Sequence, residues 1–225
     1  MDIQADRPEP QAVAARIVAE VQALPVANTP NVRAIRRRHS QALKQASGPF
    51  VLDVGRELLA RYGYRWVAYE LIAAHGEAFG SLGAGQLEEL GQGMDSWEAV
   101  DSFARTLSGP AWRDGLVDDE VIHRWARSGD RWWRRAALVS TVALNVRSQG
   151  GLGDVARTLD VCRLLVADPD DMVVKALSWA LRELAVHDPE AVQAFITEHE
   201  ALLASRVKRE VRNKLRTGLK NPHTG

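Results

Sequence analysis

The chain has 225 residues, of which 46% are hydrophobic, and its 29 Lys and Arg residues balance 29 Asp and Glu residues. This composition excludes an intrinsically disordered chain, because enough apolar surface is present to form a core. The longest nearly apolar run, Ala136 to Val146, is far shorter than the roughly 18 residues of a membrane span, and the single cysteine, Cys162, excludes an internal disulfide.

The length suits one domain or one short repeat array, and no shift in composition marks a boundary. We therefore expect a single domain over residues 1–225, with residues 1–9 as a flexible tail. The N-terminal segment has no apolar signal core, and a lone cysteine is typical of a reducing compartment, so we expect a cytoplasmic protein. Scattered histidines and the lack of paired cysteines or an HExxH motif predict neither a metal nor another cofactor.

Almost the whole chain has apolar residues at three- and four-residue spacing, and no segment alternates convincingly with period two. This periodicity predicts an all-α fold, with breaks at glycine and proline residues. Asp95, three residues before Glu98, predicts a capping box at the start of the sixth helix. The predicted helices span residues 10–24, 30–46, 49–62, 65–76, 84–91, 95–108, 118–129, 131–146, 152–167, 171–187, 189–203 and 205–217.

Many helices joined by short turns favour an α-solenoid, in which HEAT-like or armadillo-like helical pairs stack into one curved domain. A compact globular α domain is the alternative, because no exact sequence repeat is visible.

Basic residues are concentrated in three segments although the net charge is zero. Residues 31–47 carry five basic residues and no acid, residues 123–135 carry five arginines, and residues 206–220 carry seven basic residues. These segments form one basic face if the fold brings them together, which would suit a nucleic acid. Three separate solvated helix faces are the alternative.

The helix that begins near Asp95 places an indole and a carboxylate side by side. Trp97 and Asp101 are four residues apart, so they project within about 40° of each other at the edge of the apolar stripe. A packed tryptophan beside a solvated aspartate is the alternative interpretation.

The segment from Asp130 to Ala137 places Arg135 on the apolar side of its helix, beside Val139 and Val142. A buried guanidinium needs a partner, and either a carboxylate or a phosphate fits it in a bidentate manner. An internal salt bridge between two helices is the alternative to a phosphate site.

On the helix from residue 171, Trp179 lies opposite the apolar stripe, with Lys175 four residues before it and Arg182 three residues after it. An exposed aromatic ring between two cations suits a surface that contacts phosphates and sugars. We therefore expect Trp179 to be partly exposed and to face the same cleft as Trp97. A tryptophan covered by a neighbouring repeat is the alternative.

Five groups of residues recur in order at characteristic spacing between about Leu58 and Arg212, namely Ser96-Trp97 with Val100-Asp101, Trp125-Ala126 with Ser128, Trp133 with Arg135-Ala136-Ala137, Lys175-Ala176 with Trp179 and Leu181-Arg182-Glu183, and Lys208-Arg209-Glu210. In these residues the chain resembles the DNA alkylation repair proteins built from HEAT-like repeats, the AlkD-type alkylpurine DNA glycosylases. No aromatic residue precedes Phe50, although the family usually has one in its first helix, and Glu98 stands where a second tryptophan often follows.

The resemblance implies a monofunctional glycosylase that hydrolyses the N-glycosidic bond of N3- or N7-alkylated purines in double-stranded DNA and leaves an abasic site. It places the active-site aspartate at Asp101, the cleft arginine at Arg135 and the two cleft tryptophans at Trp97 and Trp179. With the charge pattern, it predicts a monomer that binds DNA through one concave basic face. The residues expected to bind DNA are Arg33, Arg36, Arg37, Lys175, Arg182, Lys208, Arg209 and Arg212. The residues expected to line the concave face are Arg33, Arg36 or Arg37, Arg135, Lys175, Arg182, Arg209 and Arg212.

Two other functions stay open on the sequence alone. One is a non-catalytic protein of the same fold that binds DNA structures, and the other is a helical-repeat scaffold for other proteins.

Overall fold

A computed structural model describes residues 9–222, so the expected flexible tail over residues 1–9 lies almost entirely outside the described residues. Every regular element in this range is helical, which confirms the all-α prediction. None of these helices is long and apolar enough to cross a membrane. The chain divides into two compact units, the first ending at Leu90 and the second beginning at Gly91. The single domain over residues 1–225 stays a prediction.

The first unit is built around its third helix, α3, which packs against α1, α4 and α5, while α2 packs against α1 and α4. Their apolar faces form a core in which Ile17, Leu58 and Ile72 are fully buried. The helices are α1 (Pro10–Gln22), α2 (Thr29–Ala42), α3 (Gly48–Ala60), α4 (Arg65–Ala73), α5 (Gly76–Gly80) and α6 (Ala84–Gly91), the last of which ends at the first residue of the second unit.

The second unit continues the helical pattern with two short non-α turns. Its helices are α7 (Trp97–Phe103), a π-helix (Ala104–Ser108), α8 (Gly109–Arg113), α9 (Asp119–Ala126), α10 (Arg131–Ser140), α11 (Val142–Asn145), a 3-10 helix (Arg147–Gln149), α12 (Val155–Leu164), α13 (Asp171–Leu184), α14 (Pro189–Glu198) and α15 (Ser205–Thr217).

Within the second unit the helices stack as pairs, which is consistent with the predicted α-solenoid. Helices α9 and α10, α12 and α13, and α14 and α15 pack as consecutive pairs. The second members also pack against one another, so that α7, α10, α13 and α15 form a row of neighbours. Side chains on one face of this row therefore lie close together although they are far apart in the sequence.

An aromatic cluster and one glycine hold the start of this row together. The Trp133 ring lies 4.9 Å from the Trp125 ring and 6.0 Å from the Phe103 ring, which joins α7, α9 and α10. At Gly109 a Cβ atom would lie 2.7 Å from the Ser140 carbonyl oxygen, so only glycine allows this close approach. These contacts determine how α7 lies against α10.

The observed helices differ from the predicted ones mainly at their ends. The predicted capping box at Asp95 is wrong, because α7 begins at Trp97 and the Ser96 hydroxyl accepts the Ala99 backbone N–H at 3.4 Å. The predicted helix over residues 95–108 is α7 followed by the π-helix. The short helices α5 and α8 begin at Gly76 and Gly109, where the sequence predicts breaks. The π-helix adds a local distortion directly after α7, of a kind often found near functional sites.

Candidate functional site

One cleft in the second unit, with a volume of about 340 Å³, collects side chains from α7, α10, α13 and α15. Because these four helices are the row of neighbours, they present one shared face. The four residues singled out from the sequence as the centre of a site all line it. Its lining residues are Trp97, Asp101, Arg135, Met172, Lys175, Trp179, Arg182, Arg206 and Lys220.

The floor of the cleft is an ion pair between Asp101 on α7 and Arg135 on α10. Arg135 Nε donates to Asp101 Oδ1 at 2.9 Å and Arg135 Nη2 donates to Asp101 Oδ2 at 2.8 Å, so the pair is bidentate. Arg135 Nη1 donates to the Met172 carbonyl oxygen on α13 at 2.6 Å. The Arg135 side chain is 6% exposed, and the partner that this buried guanidinium needs is a carboxylate of the chain itself.

Burial raises the pKa of the Asp101 carboxyl above its ordinary value, although Arg135 and Arg105 act in the opposite direction. Glu98 also raises the pKa of Asp101 slightly, because it places a second negative charge on the same helix. The carboxylate keeps 16% of its side chain exposed, on the cleft side. Asp101 is therefore a poorly hydrated carboxylate on the cleft side, where a carboxylate can stabilise a nearby positive charge, although Arg135 offsets part of its own charge.

Two tryptophans line the same cleft. Trp97, the first residue of α7, is 50% exposed, and Trp179 on α13 is half-buried. The prediction that Trp179 is partly exposed and shares a cleft with Trp97 is confirmed. The Trp179 indole N–H donates to Glu183 Oε1 at 2.9 Å, and the Arg105 guanidinium lies 5.6 Å from the centroid of the Trp179 ring. The ring is thus held in place while part of it stays accessible.

A buried carboxylate, Glu210 on α15, organises the other end of the cleft. Its side chain is 3% exposed and accepts the Ser178 hydroxyl at 2.6 Å. Three cations surround it at longer distances, namely Arg182 at 4.0 Å, Arg206 at 3.6 Å and Lys220 at 3.5 Å. Burial lowers the pKa of Arg182, and Glu210 opposes this effect by raising it. One carboxylate therefore holds three positive charges at the cleft.

Lys175, predicted to contact DNA, lies on the cleft side of α13 and also pairs with Asp171 at 2.7 Å. This contact lowers the pKa of the Asp171 carboxyl. Arg206 approaches the same carboxylate at 3.7 Å. Lys175 and Arg182 are thus the two residues among those predicted to bind DNA that the structure brings to the cleft.

Three other residues predicted to bind DNA lie on α15 but do not line the cleft. The expectation of one shared basic face stays a prediction. Arg209 and Arg212 line a separate groove, because they project from a different side of α15 than Arg206, which reaches the cleft. Lys208 donates to the Glu200 carbonyl oxygen at 3.1 Å, and Arg212 also pairs with the Glu200 carboxylate. The contact of these residues with DNA stays a prediction.

The predicted arginines of the first unit lie on α2. Arg33 and Arg36 both pair with Glu70 on α4, at 2.8 Å and 3.1 Å, and Arg37 is exposed. The Arg33 guanidinium also lies 5.7 Å from the ring centroid of Trp66. Glu70 neutralises part of this basic segment, which the charge pattern alone did not indicate. The role of these arginines in DNA binding stays a prediction.

Four residues near the cleft were missed as site residues by sequence reasoning, namely Arg105, Arg206, Glu210 and Lys220. The basic segment 206–220 was a signal for two of them, because it contains both Arg206 and Lys220. Helix periodicity was a signal for Glu210, because it lies on the apolar side of its helix with Val207 and Val211. Among residues 9–222, no three His, Cys, Asp or Glu side chains are grouped in a way that could hold a metal ion.

Comparison with known proteins identifies the family of this chain. The family described as DNA alkylation repair enzymes matches residues 4–215, which is nearly the whole chain. No curated protein matches the chain significantly. The match includes every predicted site residue and both units, and the protein therefore belongs to the family of DNA alkylation repair enzymes.

Proposed function

We propose that this protein is a monofunctional DNA glycosylase, which hydrolyses the N-glycosidic bond of N3- or N7-alkylated purines in double-stranded DNA. The observation that carries the proposal is the Asp101 carboxylate, which is poorly hydrated, held by Arg135, and part of the cleft that Trp97 and Trp179 also line. We further propose that the protein acts as a cytoplasmic monomer.

The chemistry needs few catalytic groups. Alkylation makes the purine cationic, so the bond from C1′ of the deoxyribose to the base breaks with its electron pair leaving on a neutral base. The sugar then carries an oxocarbenium-like positive charge, as in other glycoside hydrolysis. Asp101 stabilises that charge, because burial leaves it poorly hydrated. Water adds its oxygen to C1′, and Asp101 accepts the released proton. The products are an abasic site and the free base.

The other cleft residues orient the DNA. Arg135 fixes both oxygens of Asp101, which holds the carboxylate in one orientation. Trp97 and Trp179 offer ring surfaces to the deoxyribose and its backbone, where a developing cation gains from the ring faces. Lys175 and Arg182 supply positive charge for the phosphates. This chemistry calls for no lysine as a covalent nucleophile, so we expect no strand cleavage.

The direct test is the release of 7-methylguanine from duplex DNA by the wild type and by the Asp101→Asn variant. The substitution removes the negative charge but nearly keeps the shape, so we expect release to fall at least about 100-fold, as when a group that stabilises the transition state is lost. Duplex binding should change little. The matched control is Glu98→Gln, which removes an exposed negative charge from the same helix and should retain most of the activity.

A non-catalytic DNA-binding protein is the second candidate, and one observation favours it. Asp101 and Arg135 already neutralise each other, so the pair has a purely structural explanation as a bridge between α7 and α10. Equal base release by the wild type and Asp101→Asn would remove Asp101 from the mechanism. Duplex binding with no release by the wild type would support the second candidate.

A further inference from the structure

The chain turns back toward the cleft directly after α15. This helix ends at Thr217, and Gly218 follows with φ at +75°, a left-handed conformation that favours glycine. The Gly218 N–H donates to the Lys214 carbonyl oxygen at 2.9 Å, and the Asn213 side-chain amide donates to the Lys220 carbonyl oxygen at 3.1 Å. Residues 218–220 are therefore fastened to the last turns of the helix.

This turn brings Lys220 to the cleft. Its ammonium group lies 3.5 Å from Glu210 Oε2, its side chain is 43% exposed, and it lines the cleft with Arg182 and Arg206. Three cations face Glu210, and Arg206 also approaches Asp171, which Lys175 pairs with. Four cations therefore share two carboxylates at this end of the cleft, so positive charge remains in excess there. The distances from these cations to Glu210, 3.5 Å to 4.0 Å, exceed those of strong hydrogen bonds, so their donors can still bind an anion.

We propose that Lys220 is a further DNA-binding residue, which contacts a backbone phosphate at the cleft, and that Glu210 is its positioning residue. The buried Glu210 carboxylate keeps the Lys220 ammonium on the cleft side of α15. Lys220 lies beyond residues 4–215, the part of the chain that the family model matches. The C-terminal turn thus adds a phosphate contact that the family match does not include. This inference rests on the proposed DNA-binding function.

The test is the salt dependence of binding to an undamaged duplex, measured by fluorescence anisotropy. Each phosphate contact contributes about 0.9 to the slope of log K against log[salt], which corresponds to about 8-fold in affinity at about 0.1 M salt. We expect Lys220→Ala to lose about that much slope and affinity. The matched control is Arg163→Ala on α12, which removes one positive charge that is paired with Asp160 and does not line the cleft. It should change both quantities little.

A second variant moves Lys220 without removing its charge. A Cβ atom at Gly218 would meet no other atom within 4 Å, so Gly218→Ala strains only the backbone of the turn. We expect it to reduce the slope and the affinity in the same direction as Lys220→Ala, although the net charge is unchanged. Circular dichroism and thermal melting show that each variant is folded.

The outcomes separate this inference from the proposed function. If Lys220→Ala binds the duplex with the same affinity and salt dependence as Arg163→Ala, the inference is overturned, even if the wild type releases alkylated bases. A Lys220→Ala loss together with no base release by the wild type supports the phosphate contact and refutes the glycosylase. A wild type that binds no duplex overturns both.

Discussion

Replacing Arg135 by methionine tests whether the Asp101–Arg135 pair is a coupled unit. Methionine keeps much of the length of the side chain but removes the guanidinium, which donates to both oxygens of Asp101 and to the Met172 carbonyl oxygen. The substitution leaves a buried carboxylate without its partner. Asp101→Asn makes the complementary change, because it leaves Arg135 without an opposite charge.

The cost follows from the burial of the two side chains, of which Arg135 is 6% exposed and Asp101 is 16% exposed. Removing one partner of a buried pair lowers the free energy of unfolding by about 3–5 kcal/mol. Because Asp101 keeps some contact with solvent, we expect Arg135→Met to cost about 3 kcal/mol. The double variant, with both Arg135→Met and Asp101→Asn, should lose less stability than the two single losses added together, by about 1–3 kcal/mol.

The cost should also depend on pH. Burial already raises the pKa of Asp101, and loss of Arg135 raises it further, because Arg135 favours the ionised form. A folded-state pKa above the unfolded value favours folding at low pH, and this contribution is lost as the pH rises through the folded-state pKa. The destabilisation by Arg135→Met should therefore be smallest near about pH 4 and largest near about pH 8.

Urea unfolding of the wild type, both single variants and the double variant at these two pH values measures both effects. Additive free energies would show that the two side chains are not coupled. A cost of Arg135→Met that is independent of pH would show that Asp101 is not the group left unpaired. Either result would refute the reasoning from the bidentate geometry.

Two further predictions concern the rim of the cleft. Trp179→Ala should leave the melting temperature nearly unchanged and weaken duplex binding about 5- to 150-fold, because an aromatic contact to nucleic acid contributes about 1–3 kcal/mol. Its control is Trp112→Ala, a core tryptophan 1% exposed whose loss should cost about 3–5 kcal/mol of stability, and equal destabilisation by the two would place Trp179 in the core. Arg105→Gln should move the acid limb of the pH profile for base release to higher pH, because Arg105 lowers the pKa of Asp101. If the acid limb of Arg105→Gln lies at the same pH as that of the control variant Arg163→Gln, Arg105 does not have this role.

Much of the helical architecture was predictable from the sequence, because helix periodicity is a local property. Spacing of three and four residues located most of the observed helices to within a few residues. The differences arise where neighbouring helices decide the backbone conformation. The π-helix after α7 lies where Gly109 approaches Ser140, a contact between segments about thirty residues apart in the chain.

The sequence by itself also determined which side chains were unusual for their positions. Helix spacing placed Arg135 on an apolar side, Trp179 opposite its apolar stripe, and Trp97 with Asp101 at the edge of another stripe, and all four line the cleft. These inferences hold because residues three or four apart share a face of any helix, whatever the helix packs against.

Only the tertiary structure decided which groups meet. Arg135 needed an anion, but its partner, Asp101, lies 34 residues away on another helix, and helix periodicity carries no information at that distance. In the same way, Arg206 reaches the cleft while Arg209 lines a separate groove, although both belong to one basic segment. The packing of α15 on α13 determines which side of α15 is buried, and Glu210 lies on that side. Because a buried carboxylate needs hydrogen-bond donors or cations beside it, Arg206, which pairs with Glu210, is on the cleft side and Arg209 is not.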